Sequence, residues 1–416
     1  MSGLQPVALA SIRAAPPYTR RMSRDRIGRR AFLRTVATAA AAGVALPAVA
    51  ASPGPRREPI TRVFAAEVGA GVIVIVETVS GLRGHGFTAI TNSPVVVAVV
   101  RDVIAQQITG QDALAREAIY EKLQLALVLR GLHAGHAMHA ISAIDLALWD
   151  IAGKAFGLPV WRLLGGARPV VPAYSTFGQA NLGREQLVAA ARQNVAAGQR
   201  RLKMVVAAES LERAQRGEPI EELLGEDVER IRLGREAVGP DVSLYIDANH
   251  GLDGFQARRF IERIDRYDIA LFEEPLRGND VLRLADLRAH TRIPLGAGQN
   301  EGNLTRWRDF AVNGSVDVLQ LNVCMCGGYT GALKIAALAA AFSLPIDNAG
   351  GYALFNMHLH AGLANGGRVE WHTTAVALER QLYDQRFELQ QGKLALPERP
   401  GLGFEPTADT VRRVTG

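Results

Sequence analysis

The chain has little cysteine. Its 416 residues include two thiols, Cys324 and Cys326, too few and too close together for a disulfide framework. On a strand, Cys-Met-Cys would turn both thiols to one face, as a soft-metal pair or as two small buried residues. Long apolar runs are also missing, and nothing reaches the roughly 20 residues of a membrane-spanning helix. Nor is there an excess of one charge once the N-terminus is set aside. The formal net charge is +6, but residues 13–34 hold eight arginines against the single acid Asp25. Removing everything before Ala51 takes away seven positive charges and leaves the rest near neutral. Total charge therefore gives no support to a nucleic-acid partner. A hydrophobic content of 48% and a charged content of 21% are those of an ordinary globular protein. The length suffices for a large barrel with a second domain.

The N-terminal arginines form a targeting pattern. Gly28-Arg-Arg-Ala-Phe-Leu-Arg34 is a twin-arginine sequence, followed by an alanine-rich run (35–46) and the small-residue site Ala48-Val49-Ala50. Met22 is a possible true start. This segment implies export of a folded, often cofactor-carrying protein to a bacterial periplasm, with no membrane attachment in the mature form. If the signal is unused, the protein stays cytoplasmic. An uncleaved anchor or a surface helix are the alternatives.

Three apolar runs end in oxygen-bearing side chains at an even beat. Ser243–His250 carries Asp247, Ile269–Pro275 carries Glu273, and Arg292–Glu301 carries Gln299; each is 26 positions after the last. Helix-like stretches lie between them. A strand-plus-helix repeat of that length builds a parallel sheet, and a closed ring of such units gathers its strand ends on one face. Hard oxygen ligands converging there suit Mg²⁺, although acidic residues at strand ends also serve as helix caps.

The whole chain divides accordingly. Residues 1–55 are signal and linker, and 56–168 form an α+β domain. Residues 169–375 form the barrel, and 376–416 a turn-rich tail returning to the first domain. In the first domain, Val63–Val68 and Gly71–Val79 read as paired strands and Gly81–Gly86 as a turn-rich loop. Val95–Ile108, Ala113–Leu129 and Met138–Phe156 have helical periodicity. His133, His136 and His139 are expected in the loop entering the last of these. Barrel strand ends fall near Ser175, Val205, Asp247, Glu273, Gly296, Gln320, Asp347 and Glu370. Seven helices separate them, the last being Leu354–Ala364, and the final βα unit looks incomplete.

At this level the chain resembles the enolase superfamily, in its mandelate racemase and muconate-lactonizing branch, over nearly everything after residue 58. The carrying motifs are Ala-Ile-Asp-Leu-Ala-Leu-Trp-Asp with Leu158–Gly166, Asp247-Ala-Asn249, Glu273-Glu-Pro275, Cys326-Gly-Gly328 and the Pro-Gly-Leu-Gly tail. The resemblance implies a modified (β/α)₈ TIM barrel under an N-terminal α+β capping domain, Mg²⁺ at three strand ends, and removal of the proton α to a carboxylate. Asp247 and Glu273 match the first two metal ligands. The third, usually Glu, is Gln299, whose carbonyl oxygen still ligates but brings no charge. Glu301 substitutes only if its loop turns inward.

The usual bases are absent. The second lysine of the Lys-x-Lys strand is Val205, and the Asp–His dyad positions read Asn322 and Ala349. Lys203 survives as the family's carboxylate-binding or pKa-lowering lysine, and Glu370 matches the last-strand glutamate that the resemblance implies hydrogen-bonds the substrate carboxylate. Lys203, His250, Asn322 and Glu370 are thus the catalytic candidates, with Lys203 or His250 as base or acid. His372 and Asp347 are lesser ones, and His358 and His360 read as packing or surface residues. The expected activity is a Mg²⁺-dependent lyase dehydrating a hydroxy acid of the acid-sugar class, since one base and one acid suffice there. A racemase, epimerase or cycloisomerase with relocated bases is the second reading. A catalytically lapsed, exported carboxylate- or metal-binding barrel is the third. The resemblance also implies a small-molecule carboxylate partner and a homo-oligomer.

Overall fold

The computed structural model describes residues 57–89, 92–128, 135–207 and 210–416. The twin-arginine segment and His133 lie outside them.

The first layer is an antiparallel sheet of β1 (Ile60–Val68), β2 (Gly71–Thr78) and β3 (Arg83–Ala89), in that spatial order. Residues expected to form a loop after Gly81 are therefore a strand. Their glycines are the reason: a Cβ at Gly84 or Gly86 would lie 2.1 or 1.9 Å from the carbonyl oxygens of Ala147 and Ala143. Only a glycine strand lets the helix His136–Phe156 pack this closely. That helix is buried along almost its whole length and contains His136 and His139, so neither sits in a loop. His139 hydrogen-bonds Thr88 at 2.7 Å, and burial brings its pKa down to about 4, which makes it a neutral packing residue.

Eight parallel strands follow: β4 (Val170–Gly178), β5 (Arg201–Val205), β6 (Ser243–Asp247), β7 (Ile269–Glu273), β8 (Leu295–Ala297), β9 (Val318–Leu321), β10 (Ile346–Asn348) and β11 (Val369–His372). Sequential neighbours pair from β4 to β10, and β11 pairs with β4. Between β10 and β11 the Asn348 N–H donates to the Arg368 carbonyl at 2.8 Å. The Asn348 side-chain oxygen accepts the Glu370 N–H at 3.0 Å. A short β12 (Lys393–Ala395) runs antiparallel to β4. The tail bonds back to the first domain through Val160 N–H to Gly401 O at 2.8 Å and Leu402 N–H to Asp150 at 2.9 Å. His358 and His360, in the helix Ala353–Gly362, are fully buried, and burial lowers both to about 3.

The last βα unit is complete, contrary to expectation. A helix, Thr373–Leu382, starts directly off β11 with His372 as its N-cap residue, so no turn signal marks it. Glu379 on this helix is buried with one oxygen unpartnered, and burial raises its carboxyl to about 8. Below about pH 8 the Glu379 carboxyl is therefore neutral in the folded protein. Its contribution is fully present below about pH 4.3 and is lost as pH rises towards 8. Glu379→Gln should therefore gain stability relative to the parent between pH 4.5 and 8.5, by a few kcal/mol on the order given by that shift. Urea unfolding at the two pH values checks this; parallel curves for both proteins would refute it.

Candidate active site

Inward side chains of the barrel form two layers. Tyr174, Tyr245, Leu271 and Val318 make a buried apolar floor. Above it, at the C-terminal ends, stand Thr176, Lys203, Asp247, Glu273, Gln320 and Glu370, all buried. Alternation puts Thr176, Asp247, Glu273 and Gln320 two residues past the floor residues of their own strands. The register makes Asp247 the direct partner of Glu273.

Lys203 is the centre of this layer. Its Nζ lies 3.1 Å from Asp247 Oδ2, 3.0 Å from both Glu273 oxygens and 2.9 Å from Glu370 Oε1. Gln320 donates to Glu273 Oε2 at 2.7 Å. Glu370 also accepts from the Thr176 hydroxyl and, at 2.9 Å, from the Gly351 N–H. Burial disfavours the ammonium, but Glu273 and Glu370 outweigh it and hold Lys203 well above the ordinary lysine range. In this arrangement the ammonium is the counter-ion of three carboxylates. Three carboxylates face one ammonium, so negative charge is in surplus. Burial and mutual repulsion raise Asp247 and Glu273 despite Lys203, whereas Lys203 and the Thr176 hydroxyl keep Glu370 low against its burial.

Gln299 sits two residues beyond β8, since Glu273 pairs with Gly296 in register. Its Nε2 donates to Glu274 Oε2 at 2.8 Å, and its Oε1 faces Gly350, where a methyl group would come within 3.1 Å. Glu301 turns to Arg306, 3.4 Å away, so it does not replace Gln299. His250 pairs with Glu274 at 2.9 Å and is not among the residues lining the cavity described below. Burial lowers its pKa, but the Glu274 bond more than offsets this and raises it; the ring is a counter-ion, not a free base. Asn322 is a structural tie. It donates to Ala349 O at 2.7 Å and accepts from Asn356 and the Cys324 N–H, each at 3.0 Å. Asp347 is likewise engaged, with Arg368 at 2.7 Å. Cys324 and Cys326 are free and buried in the turn after β9, not on a strand, and burial raises both thiols. They are inert packing residues.

A cavity of about 1100 Å³ opens above the polar layer. The first domain supplies Gly69, Ala70, Ala89, Asn92 and Ser93 to its wall, and the barrel supplies Lys203, Asp247, Gln299, Glu370 and His372. His372, a lesser candidate in the sequence, lines the cavity, and its two-residue spacing from Glu370 is the sequence signal that both face the same way. Oxygens from Asp247, Glu273 and Gln299 are the set that could take a hard cation, and a divalent charge would offset the surplus of negative charge there.

Family models match on both sides of this cavity. "Mandelate racemase / muconate lactonizing enzyme, N-terminal domain" covers residues 45–165 and "Enolase C-terminal domain-like" covers 186–410. Arabinonate dehydratase of Saccharolobus solfataricus is 31% identical over 338 residues, 79% of this chain and 86% of that protein. L-Talarate/galactarate dehydratase of Salmonella typhimurium is 28% identical over 366 residues, 86% of this chain and 84% of that one. A solved mandelate racemase/muconate lactonizing enzyme from a marine actinobacterium, in complex with magnesium, superimposes with a TM-score of 0.74 at 27% identity. It covers 86% of this chain and 99% of that one. Matched domains, barrel and cavity lead to one assignment: the chain belongs to the mandelate racemase and muconate-lactonizing family of the enolase superfamily.

Proposed function

We propose that this protein is a Mg²⁺-dependent carbon–oxygen lyase that dehydrates a polyhydroxy carboxylate of the acid-sugar class. The observation that carries the proposal is the anionic layer around Lys203 at the floor of a cavity large enough for such an acid. Dehydratases of arabinonate, galactarate, gluconate and rhamnonate among its relatives support the substrate class.

The chemistry asks for what this layer holds. Removing a proton α to a carboxylate places a second negative charge on the substrate, and preorganised positive charge lowers that barrier by several kcal/mol. Asp247, Glu273 and Gln299 would hold Mg²⁺, which supplies electrophilic stabilisation of the substrate carboxylate. Lys203 remains charged through the cycle and adds a fixed cation. Glu370 orients Lys203, and Thr176 and the Gly351 N–H orient Glu370. The twin-arginine segment supports export, so we extend the proposal to a periplasmic enzyme; cell fractionation with and without Arg29 and Arg30 checks that extension.

Incubation with arabinonate, gluconate, rhamnonate and galactarate, with Mg²⁺ or with a chelator, tests the activity. A 2-keto-3-deoxy acid formed only with the metal is expected. Val205, Asn322 and Ala349 at the usual base positions favour a second reading, a barrel that binds such acids without turnover. Tight binding with no product would establish that reading. Gln299→Glu is expected to tighten Mg²⁺ binding about tenfold or more by adding a charged ligand. Calorimetry measures this, and an unchanged Kd would remove position 299 from the metal site. The same variant should be less stable without metal, because it sets a carboxylate against Glu274.

A further inference from the structure

We propose that His372 is the group that moves the proton in this site, taking it from the α-carbon and returning it to the departing hydroxyl. This rests on the lyase reading above and assigns the base that the family positions lack.

Five titratable side chains line the cavity among the described residues: Lys203, Asp247, Tyr352, Glu370 and His372. Lys203 Nζ is bonded to Asp247, Glu273 and Glu370, so Lys203, Asp247 and Glu370 are engaged with one another. Burial pushes the Tyr352 hydroxyl up, away from any use as a base. His372 remains. It lies two residues beyond Glu370 on β11, so both side chains leave the strand on the same face and His372 stands nearer the mouth. Its Nε2 is 3.4 Å from Gln179 Nε2. At 3.4 Å this is a long contact, and a substrate entering the cavity could displace it.

The loop that elsewhere in the family would present a histidine seats this one instead. Ala349 is buried and brings no functional group. Gly351, at φ +75°, donates its N–H to Glu370 and packs so closely that a methyl group there would lie 3.1 Å from His372 Cβ. The turn thereby fixes Glu370 and His372 together.

The reaction balances on one residue. His372 Nε2 takes the α-proton and the C–H electron pair enters the enediolate. That pair then forms the Cα–Cβ double bond as the β C–O bond breaks. The imidazolium returns its proton to the leaving hydroxide, giving water and a neutral imidazole, and the enol tautomerises to the 2-keto-3-deoxy acid. Elimination on a single face follows.

The test uses the full mature chain with Mg²⁺ and the four acids named above. His372→Asn and His372→Gln are expected to lose about 10²–10⁴-fold in turnover, with calorimetric Kd for the acid within threefold of the parent. His372→Ala should regain turnover with added imidazole, which a purely structural role would not allow. Turnover in His372→Asn within tenfold of the parent overturns this inference and leaves the lyase reading standing. Loss of binding together with turnover, or no rescue by imidazole, also overturns it. No turnover of any of the acids by the parent overturns the lyase reading and this inference with it.

Discussion

Lys203→Met is expected to destabilise the metal-free protein by about 3–5 kcal/mol, the usual cost of removing one partner from a buried ion pair. Methionine matches the length of the lysine stem, so the loss is electrostatic: Asp247, Glu273 and Glu370 would keep three charges at one point with no ammonium between them. Part of the cost will be relieved by proton uptake at these acids. Mg²⁺ should then stabilise the variant more than the parent, because a ligand that binds only the folded state adds RT ln(1 + [L]/Kd) and no ammonium competes with it. Urea unfolding with and without Mg²⁺ measures both effects. A metal-free stability within about 1 kcal/mol of the parent would show that Lys203 is not the counter-ion of the layer.

Asp247→Asn should act in the opposite sense on stability and more severely on function. It removes one negative charge from a layer where three carboxylates face one ammonium, and it leaves an oxygen to accept the Asn249 N–H, now bonded at 2.9 Å. Metal-free stability should therefore stay within about 1 kcal/mol of the parent or rise. Saturable Mg²⁺ binding should disappear, and turnover should fall by about 10³-fold or more, since each 1.36 kcal/mol of lost transition-state stabilisation is tenfold in rate. Calorimetry and a turnover assay on the same preparation decide the matter. Unaltered metal binding would move the site away from β6.

The barrel was legible because burial on both faces and a regular repeat leave strong marks in a sequence. All eight expected strand ends fall within β4 to β11. Two departures from the expected elements have local causes. Gly84 and Gly86 look like a turn, yet they serve a close approach of helix to strand that only the tertiary structure reveals. The helix after β11 lacks any break residue at its start, so its onset passed unmarked. For the site, residue types were readable and their partners were not. Nothing in the sequence says that His250 is taken by Glu274, that Asn322 is taken by a backbone loop, or that Lys203 is held by three acids at once. Those pairings join positions tens to hundreds of residues apart.

The closure of the ring has a consequence for how the chain reaches its native state. Thr176 and Glu370 are bonded yet 194 positions apart, so β4 and β11 can meet only after most of the intervening chain has been made. Such a long loop adds little further entropy cost, since closure rises only with the logarithm of length. The penalty falls on rate, because contacts of high sequence separation slow folding. Glu370, which enters the site with β11, is therefore among the last groups to arrive. A chain caught before that step would have Asp247 and Glu273 in place and a barrel open at the side, vulnerable to pairing with another chain along the exposed strand edge.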